Sequence, residues 1–435
     1  MHDALSAAEM VADEITQQRE TNHDVSALEQ RAEGLDPQAD SDALWDLLDA
    51  LDHAPQGEWS YEEPSERDAI LAVLPSDTGT ASIDDDALND KILGGWLGRI
   101  AGCNLGKPIE NGDHWTRGHI KAYLELVDAY PLTDWIPKSD EEIDGYVFRD
   151  NWPLTTRGRV HGSARDDDID YAVLGIHLLD KYGRGYTSAD VAQEWLSLLP
   201  FLQTYTAERV TIRNLIHGFA PPRTASYRNP YREWIGAQIR ADAFGWTNPG
   251  APRAAAQLAM SDAMLSHTAN GIYGEMWAAA LVAAAFTAAD ASEALTVSLE
   301  HIPPRSRLAE ALRNVVTWRE SGLDWSAAMD KLDAAYGHYS WVHTINNAAA
   351  VAAALLWGEG DFSATIGLAV QAGMDTDSNG ATVGSVAGVI AGAGRLPAHW
   401  VDPLEDRVST AVFGYDNVTI SSLAARTVRL AKTGA

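Results

Sequence analysis

Two short runs of aspartates are the residues of this sequence best suited to chemistry. Their oxygen-bearing members are, in the first run, Asp166, Asp167, Asp168 and Asp170 and, in the second run, Asp375, Thr376, Asp377 and Ser378. Each run lies where a polar turn leads into an apolar stretch with helical periodicity. Carboxylates this close together are costly to keep ionised in a buried site unless a cation accompanies them. Oxygen ligands at the start of a helix suit Mg²⁺, Mn²⁺ or Ca²⁺.

A structural role is the alternative for each run, because aspartate and serine commonly cap the N-termini of helices. Two runs, each ahead of an apolar helix, favour a metal site over two independent caps. Zinc is disfavoured because no spacing of Cys and His residues fits a zinc site. Neither run has the glutamate at the twelfth position that an EF-hand requires. The residues alone leave open whether one ion or two would bind.

A third segment combines regularly spaced glycines with a loop glutamate. Gly94, Gly98 and Gly102 repeat every four residues, so one face of the predicted helix carries no side chains. This spacing predicts close contact with a second helix. A Gly-Lys-Pro turn ends the helix, and Glu110 follows in a loop, where a lone glutamate is usually solvated. The segment is not a phosphate-binding loop, because no Gly-Lys-Ser/Thr motif follows the glycines.

Two further residues, Arg240 and His267, lie in polar segments between predicted helices. On chemistry alone, Arg240 is interpreted as one partner of a structural ion pair, and His267 as a hydrogen-bonded core residue. A ligand-binding role is the alternative for both.

The composition excludes several classes of protein. With 62 acidic and 32 basic residues, the formal net charge of −30 argues against binding of a nucleic-acid backbone. The longest apolar run, from Met276 to Ala289, is shorter than the roughly 20 residues of a membrane span. The single cysteine, Cys103, permits no internal disulfide and is interpreted as a small buried apolar residue. Together with the polar start of the sequence, it predicts a cytoplasmic protein.

The charge divides the chain into two parts. Residues 1–90 hold 24 acidic residues and only three basic ones. We predict an acidic, partly mobile helical extension over residues 1–88, serving either as a solvated appendage or as a lid or partner-docking arm. Residues 89–435 show Ala- and Leu-rich helical periodicity with few alternating runs, which predicts one large all-α domain. The sequence leaves the oligomeric state open.

Taken in order, these segments resemble the ADP-ribosylglycohydrolase family over roughly residues 89–400. The matching segments are Gly94–Glu110 for the family's opening helix and Gly-x-Pro-x-Glu loop, Asp166–Ile169 for Thr-Asp-Asp-Thr, Gly236–Arg240 for Gly-Ala-Ala-Met-Arg, Ser266–Gly271 for Thr-His…Asn-Gly, and Asp375–Ser378 for Asp-x-Asp-Thr. The last match is the most specific. One departure is Cys103, where the family commonly has an aspartate.

The resemblance implies a single-domain orthogonal helical bundle with a binuclear Mg²⁺ site in a central cleft, Mn²⁺ being the second choice of metal. By position in the motifs, the implied metal ligands are Asp166, Asp167, Asp168, Asp375, Asp377 and Ser378. The implied catalytic residues are Glu110, near the scissile bond, and Asp168 and Asp377. The residues expected around the ribose and diphosphate are Gly236, Arg240, His267, Asn270 and Gly271.

The resemblance also implies hydrolysis of the bond between an acceptor and C1″ of the distal ribose of ADP-ribose. The expected partner is an ADP-ribosylated acceptor or an ADP-ribose-like small molecule, and neither a nucleic-acid backbone nor a membrane. Two alternatives are hydrolysis of another N- or O-riboside with the same metals, and a non-catalytic binding or inhibitory protein of the same fold. The near-complete acidic set argues against the non-catalytic alternative. The acceptor linkage stays open.

Overall fold

Helices build the fold throughout the part of the chain that the structure describes. The computed structural model describes residues 5–77, 79–416 and 418–433, and within these ranges it has 22 α-helices and no β-strand. The prediction of an all-α fold is confirmed. Residues 1–4 and Thr78 of the predicted extension, and Asn417 and residues 434–435 of the predicted main domain, lie outside the described residues.

Most of the helices follow one another with short connections, and the longest connection, residues 127–151, joins the sixth helix to the seventh. The first part of the chain forms α1 (Ala7–Glu20), α2 (Ser26–Glu33), α3 (Ser41–Leu51) and α4 (Arg67–Val73). The middle part forms α5 (Asp85–Gly106), α6 (Arg117–Leu126), α7 (Trp152–Thr155), α8 (Asp167–Tyr182), α9 (Ser188–Leu198), α10 (Thr206–Ile216), α11 (Arg223–Ser226) and α12 (Asp242–Trp246). The last part forms α13 (Pro252–Ala263), α14 (Ala269–Ala285), α15 (Ala291–Ser298), α16 (Arg307–Glu320), α17 (Trp325–Tyr336), α18 (Thr344–Trp357), α19 (Phe362–Gln371), α20 (Thr376–Ala391), α21 (Ala398–Val401) and α22 (Ile420–Thr433).

Helices α5 and α20 form the closest helix pair of the site region, because glycines face glycines along their contact. A Cβ atom at Gly98 would overlap the carbonyl oxygen of Gly384, and a Cβ atom at Gly102 would overlap that of Gly380. Only glycine permits the two backbones to approach this closely. The prediction of close helix contact from the glycine spacing is confirmed.

The same helix pair brings two distant parts of the sequence to one place. The hydroxyl of Thr376, the first residue of α20, donates a hydrogen bond of 2.9 Å to the carbonyl oxygen of Gly106, the last residue of α5. A short 3₁₀ turn, Lys107–Ile109, follows α5 directly. Asp375 therefore lies beside the loop that carries Lys107 and Glu110.

Helix α14 lies in the core of the molecule. All of its residues except Ala269 are buried, and it packs against α12 and α13. It contains most of the apolar run that starts at Met276, so this run is a buried helix. Within residues 5–77, 79–416 and 418–433, no helix is both long and apolar enough to cross a membrane.

The helices of the first 77 residues pack on the main body through a small apolar cluster. Met10 of α1 and Leu47 of α3 are fully buried, and they share this cluster with Val210 of α10, Tyr231 and Trp234. Burial of such side chains stabilises the contact by roughly 1.5–3 kcal/mol each.

Ion pairs add to this contact. Their distances are 2.7 Å for Arg232–Glu14, 2.6 Å for Arg228–Asp49 and 3.0 Å for Arg307–Glu63. The described part of the segment is thus tied to the main body. The boundary between residues 88 and 89 and the partial mobility of the extension stay predictions.

Candidate active site

The first aspartate run starts α8. Asp166 has extended backbone angles, and its Oδ1 accepts a hydrogen bond of 2.9 Å from the backbone N–H of Asp168, so it caps the helix. Its Oδ2 forms an ion pair with the ammonium of Lys107. Asp166 is therefore a helix cap, which was the structural alternative to a metal ligand in the sequence analysis. It also faces the acidic cluster.

The second run starts α20 after a turn with left-handed backbone. Gly373 and Met374 have φ values of 77° and 60°, which redirect the chain before the helix begins. The backbone N–H of Asp375 donates to Asn347 Oδ1 at 3.2 Å, but the Asp375 side chain makes no capping hydrogen bond among the described residues. The Asp375 carboxylate is therefore available to the site.

A direct hydrogen bond joins the two runs. The hydroxyl of Ser378 donates to Asp168 Oδ2 at 3.0 Å. Behind them, the fully buried guanidinium of Arg99 donates to the Asp168 carbonyl oxygen at 2.7 Å and to Asp242 Oδ2 at 2.6 Å. Arg99 thereby holds the start of α8 in place against α5, and the runs face each other.

Two groups of side chains are arranged so that each residue of a group offers one ligand atom. Within each group, these atoms all lie within 4.8 Å of one another, which is close enough to hold a metal ion. The first group is Cys103, Asp166, Asp168 and Asp377, and the second is Glu110, Asp375 and Asp377. Four of the six predicted metal ligands thus come together, Asp377 belongs to both groups, and Glu110 joins them. Asp167 and Ser378 are the other two predicted ligands, and both line the adjoining pocket.

Burial and mutual repulsion make this cluster costly when it is fully ionised. Burial and the charge of Asp377 raise the pKa of Glu110 to about 8, and they raise the pKa values of Asp168 and Asp375 well above the ordinary value. Burial also raises the pKa of the Cys103 thiol. A cation would offset this cost, and the oxygen-rich donor set fits Mg²⁺ or Mn²⁺.

A pocket of about 160 Å³ opens over the cluster. Besides the carboxylates, it is lined by the basic residues Lys107, Arg149 and Arg165 and by Trp234 and Trp341. Sequence reasoning missed the functional position of these five residues. Two of them had a local signal, since Arg165 directly precedes the first aspartate run and Lys107 lies in the turn before Glu110. The others come from segments with no recognisable pattern.

Of the residues predicted to bind substrate, Gly236 lines the pocket. Arg240 lies behind the pocket wall, where it forms buried ion pairs with Glu208 at 2.6 Å, with Glu275 at 3.4 Å and with Asp262. Glu208 also lines the pocket, so Arg240 contacts the site through this neighbour.

The other three predicted substrate-binding residues are also buried behind the pocket. His267 Nδ1 lies 2.7 Å from Ser266 Oγ, and burial lowers the pKa of His267 well below its ordinary value. Asn270 Nδ2 donates to Glu233 at 3.2 Å. A Cβ atom at Gly271 would overlap the carbonyl oxygen of Arg232. Their part in substrate binding stays a prediction.

Comparison with known proteins assigns the family. The family model described as ADP-ribosylglycohydrolase matches residues 84–433. A solved structure described as an ADP-ribosylglycohydrolase-related protein complex aligns with 80% of this chain and 99% of its own chain, at 19% identity and a TM-score of 0.44. No curated protein sequence matches. Because the family match spans most of the chain and contains both aspartate runs, this protein belongs to the ADP-ribosylglycohydrolase family and is a glycosyl hydrolase.

Proposed function

We propose that this protein is a Mg²⁺-dependent hydrolase that cleaves the bond between C1″ of the distal ribose of ADP-ribose and an acceptor. The observation that carries the proposal is the position of Asp377, which contributes to both groups of candidate metal ligands. One carboxylate shared by two such groups is the arrangement expected of two neighbouring divalent ions. Mn²⁺ is the alternative metal, because it accepts the same oxygen ligands.

The candidate ligands are the aspartates of the two groups, with Asp167 and Ser378 at their edge. A bound divalent ion supplies positive charge that polarises substrate oxygens and lowers the pKa of a water molecule. Glu110 lies on a loop at the pocket, and its side chain is 23% exposed, so it is accessible to the scissile bond. Burial raises the pKa of Glu110, which favours the protonated form that protonation of the leaving group requires.

Two arginines support an anionic substrate. Arg149 and Arg165 line the pocket with side chains that are 28% and 24% exposed, so both reach solvent at its mouth. Arginine binds phosphate oxygens in a bidentate manner. We assign the diphosphate to this side of the pocket.

The test compares release of ADP-ribose from ADP-ribosylated arginine and serine peptides, measured by chromatography, in Mg²⁺ and in excess chelator. We expect turnover in Mg²⁺ only, and loss of turnover in Asp377→Ala with an unchanged circular dichroism spectrum. Asp324→Ala is the control, because it removes a carboxylate that caps α17 outside the pocket. Full activity of Asp377→Ala, or of the wild type in chelator, would refute the proposal.

Hydrolysis of a smaller riboside is the second candidate. The pocket of about 160 Å³ is smaller than the ~300–1,000 Å³ that is usual for larger ligands. Release of ribose from ribosides without an adenosine diphosphate part, together with inactivity on ADP-ribosylated peptides, would favour this candidate.

The net charge and the cysteine content indicate the kind of substrate and the cell compartment that we expect. A net charge of −30 supports a small-molecule or protein-linked substrate over a nucleic-acid backbone. The single, buried cysteine supports a role in the reducing cytoplasm.

A further inference from the structure

A second cavity, of about 440 Å³, lies beside the candidate active site, and α1 forms one of its walls. From α1, the lining includes Gln17 and Glu20. Trp234 and Trp341 line both this cavity and the pocket over the acidic cluster. We call it the extension cavity, because the N-terminal helix that borders it precedes the family match, which starts at residue 84.

The lining of the extension cavity is acidic and aromatic. Its carboxylates and aromatic rings are Asp13, Glu20, Asp113, Asp333, Trp234, Tyr336, Tyr339 and Trp341. Within the described residues, no lysine or arginine lines it, and of its four carboxylates Asp333 pairs with Arg117 at 2.7 Å. Carboxylates and aromatic faces both attract an ammonium or guanidinium group, whereas they repel a phosphate. The chemistry of the lining therefore selects an organic cation.

The amide of Gln17 is an independent indication of a ligand. Gln17 is 1% exposed and lines the cavity. Neither its Oε1 nor its Nε2 has a hydrogen-bond partner within residues 5–77, 79–416 and 418–433. Buried polar groups in folded proteins are nearly always hydrogen-bonded, and an unpaired one is costly. A ligand that donates an N–H group to Oε1 would remove the part of this cost that Oε1 contributes.

Glu20 lies three residues further along α1. Its side chain is 5% exposed, and its Oε2 is 3.6 Å from Nε2 of His343. Burial lowers the pKa of His343 well below its ordinary value, so this imidazole is neutral and does not compensate the charge of Glu20. The guanidinium groups of Arg307 and Arg232 offset that charge only in part. A cation in the cavity would stand next to a carboxylate that gains from its charge.

We propose that the extension cavity binds an organic cation, a guanidinium or alkylammonium group, and that it receives the leaving group of the substrate when that group is cationic. The assignment to the leaving group rests on the proposed function, whereas cation binding itself does not. The basic residues Arg149 and Arg165 line only the neighbouring pocket, so the anionic and cationic ends of such a substrate have separate places.

Calorimetric titration of the full chain without divalent metal tests cation binding. The probes are ethylguanidinium and its uncharged isostere ethylurea, at pH 8.5, where Glu20 is ionised in larger part because its pKa is about 8. We expect ethylguanidinium to bind at least about tenfold more tightly than ethylurea. Equal binding of the two probes, or binding of neither, would overturn the proposal.

Variants locate the binding. Gln17→Leu and Glu20→Gln are each expected to weaken ethylguanidinium binding about tenfold. Glu9→Gln, on the exposed face of the same helix, is the matched control and should bind as the wild type does. Circular dichroism shows whether each variant is folded, and an unchanged affinity in both folded cavity variants would overturn the proposal. Asp377→Ala should keep its cation affinity even when turnover is lost.

Steady-state kinetics then tests the leaving-group assignment. In Gln17→Leu, we expect KM to rise about tenfold for a substrate with a guanidinium acceptor and to stay unchanged for one with a hydroxyl acceptor. Weakened ethylguanidinium binding without any change in KM would overturn the assignment to the leaving group. If the chain has no glycohydrolase activity, the proposed function fails while the calorimetric result still stands.

Discussion

The ammonium of Lys107 pairs with the carboxylate of Asp166 inside the acidic cluster. This contact is a consequence of the α5–α20 pairing, because Lys107 directly follows Gly106, which packs on the first residue of α20. The Lys107 side chain is only 11% exposed. The chain therefore places a cation of its own, the Lys107 ammonium, against a carboxylate of one of the two groups of candidate metal ligands.

We expect Lys107→Met to bind divalent metal more tightly than the wild type. Without the ammonium, Asp166 has no competing cation, and its charge becomes available to the metal. The expected gain in Mn²⁺ affinity is about tenfold, corresponding to ~1.4 kcal/mol. Calorimetric titration with Mn²⁺ measures it. Lys121→Met is the control, since Lys121 is 55% exposed and pairs with Glu125 on the surface. Weaker Mn²⁺ binding in Lys107→Met would show that Lys107 supports the metal site.

The glycine contact between α5 and α20 predicts a large loss of stability in Gly98→Ala. The added Cβ would overlap backbone atoms of Gly384, which cannot move aside as a flexible side chain does. Overpacking typically lowers stability by about 1–3 kcal/mol. We expect a clash with backbone atoms to cost as much as the upper end of this range or more. Urea unfolding measures the loss. At the control position Gly118, in α6, a Cβ meets nothing within 4 Å. Gly118→Ala should therefore leave stability unchanged or raise it slightly.

The helix pairing and the acidic cluster were predictable because each depends on a local pattern. A glycine every four residues exposes backbone on one helix face, and only close packing uses that face. Adjacent aspartates before an apolar helix place carboxylates at a helix start. Neither argument requires knowledge of the chain path, so Gly98 and Asp377 could be selected from the sequence.

The rest of the pocket was not predictable because it depends on the chain path. Arg149, Trp234 and Trp341 come from segments that no spacing marks, and Lys107 occupies a variable position of its motif. The motif that contains His267 identified this residue as a candidate for substrate binding. It could not show that the imidazole is buried behind the pocket wall. Depth within a helical bundle is a property of packing, and packing brings together residues that are far apart in sequence.

We expect Arg240→Gln to lower stability more than any surface arginine substitution. Arg240 pairs with three buried carboxylates, and its removal leaves them uncompensated, which costs about 3–5 kcal/mol. Arg319→Gln is the matched control, because its partner Glu359 is 68% exposed and such pairs contribute about 1 kcal/mol or less. Urea unfolding compares the two variants. Equal stability losses would contradict the structural role of Arg240, and a rise in KM without a stability loss would assign it to substrate binding.

The pKa of Glu20 predicts a pH-dependent gain of stability in Glu20→Gln. Burial and the charge of Glu233 raise the pKa of Glu20 to about 8 from its ordinary 4.5. A carboxyl with a raised pKa in the folded state keeps its proton there while the unfolded chain releases it. It therefore destabilises the fold increasingly as the pH rises from about 4.5 to about 8, and fully above that. At pH 9 the variant should be more stable than the wild type by a few kcal/mol, since each pKa unit corresponds to about 1.4 kcal/mol.

Urea unfolding of both proteins at pH 5 and pH 9 measures this effect. The difference between wild type and Glu20→Gln should be small at pH 5, where the wild-type carboxyl holds its proton in the folded state, and large at pH 9. Glu33→Gln, at an exposed position of α2, should show no such change between the two pH values. A Glu20→Gln variant that is less stable than the wild type at pH 9 would mean that the ionised carboxylate stabilises the contact of α1. If it is more stable yet binds ethylguanidinium poorly, then the carboxylate is retained for the ligand at a cost in stability.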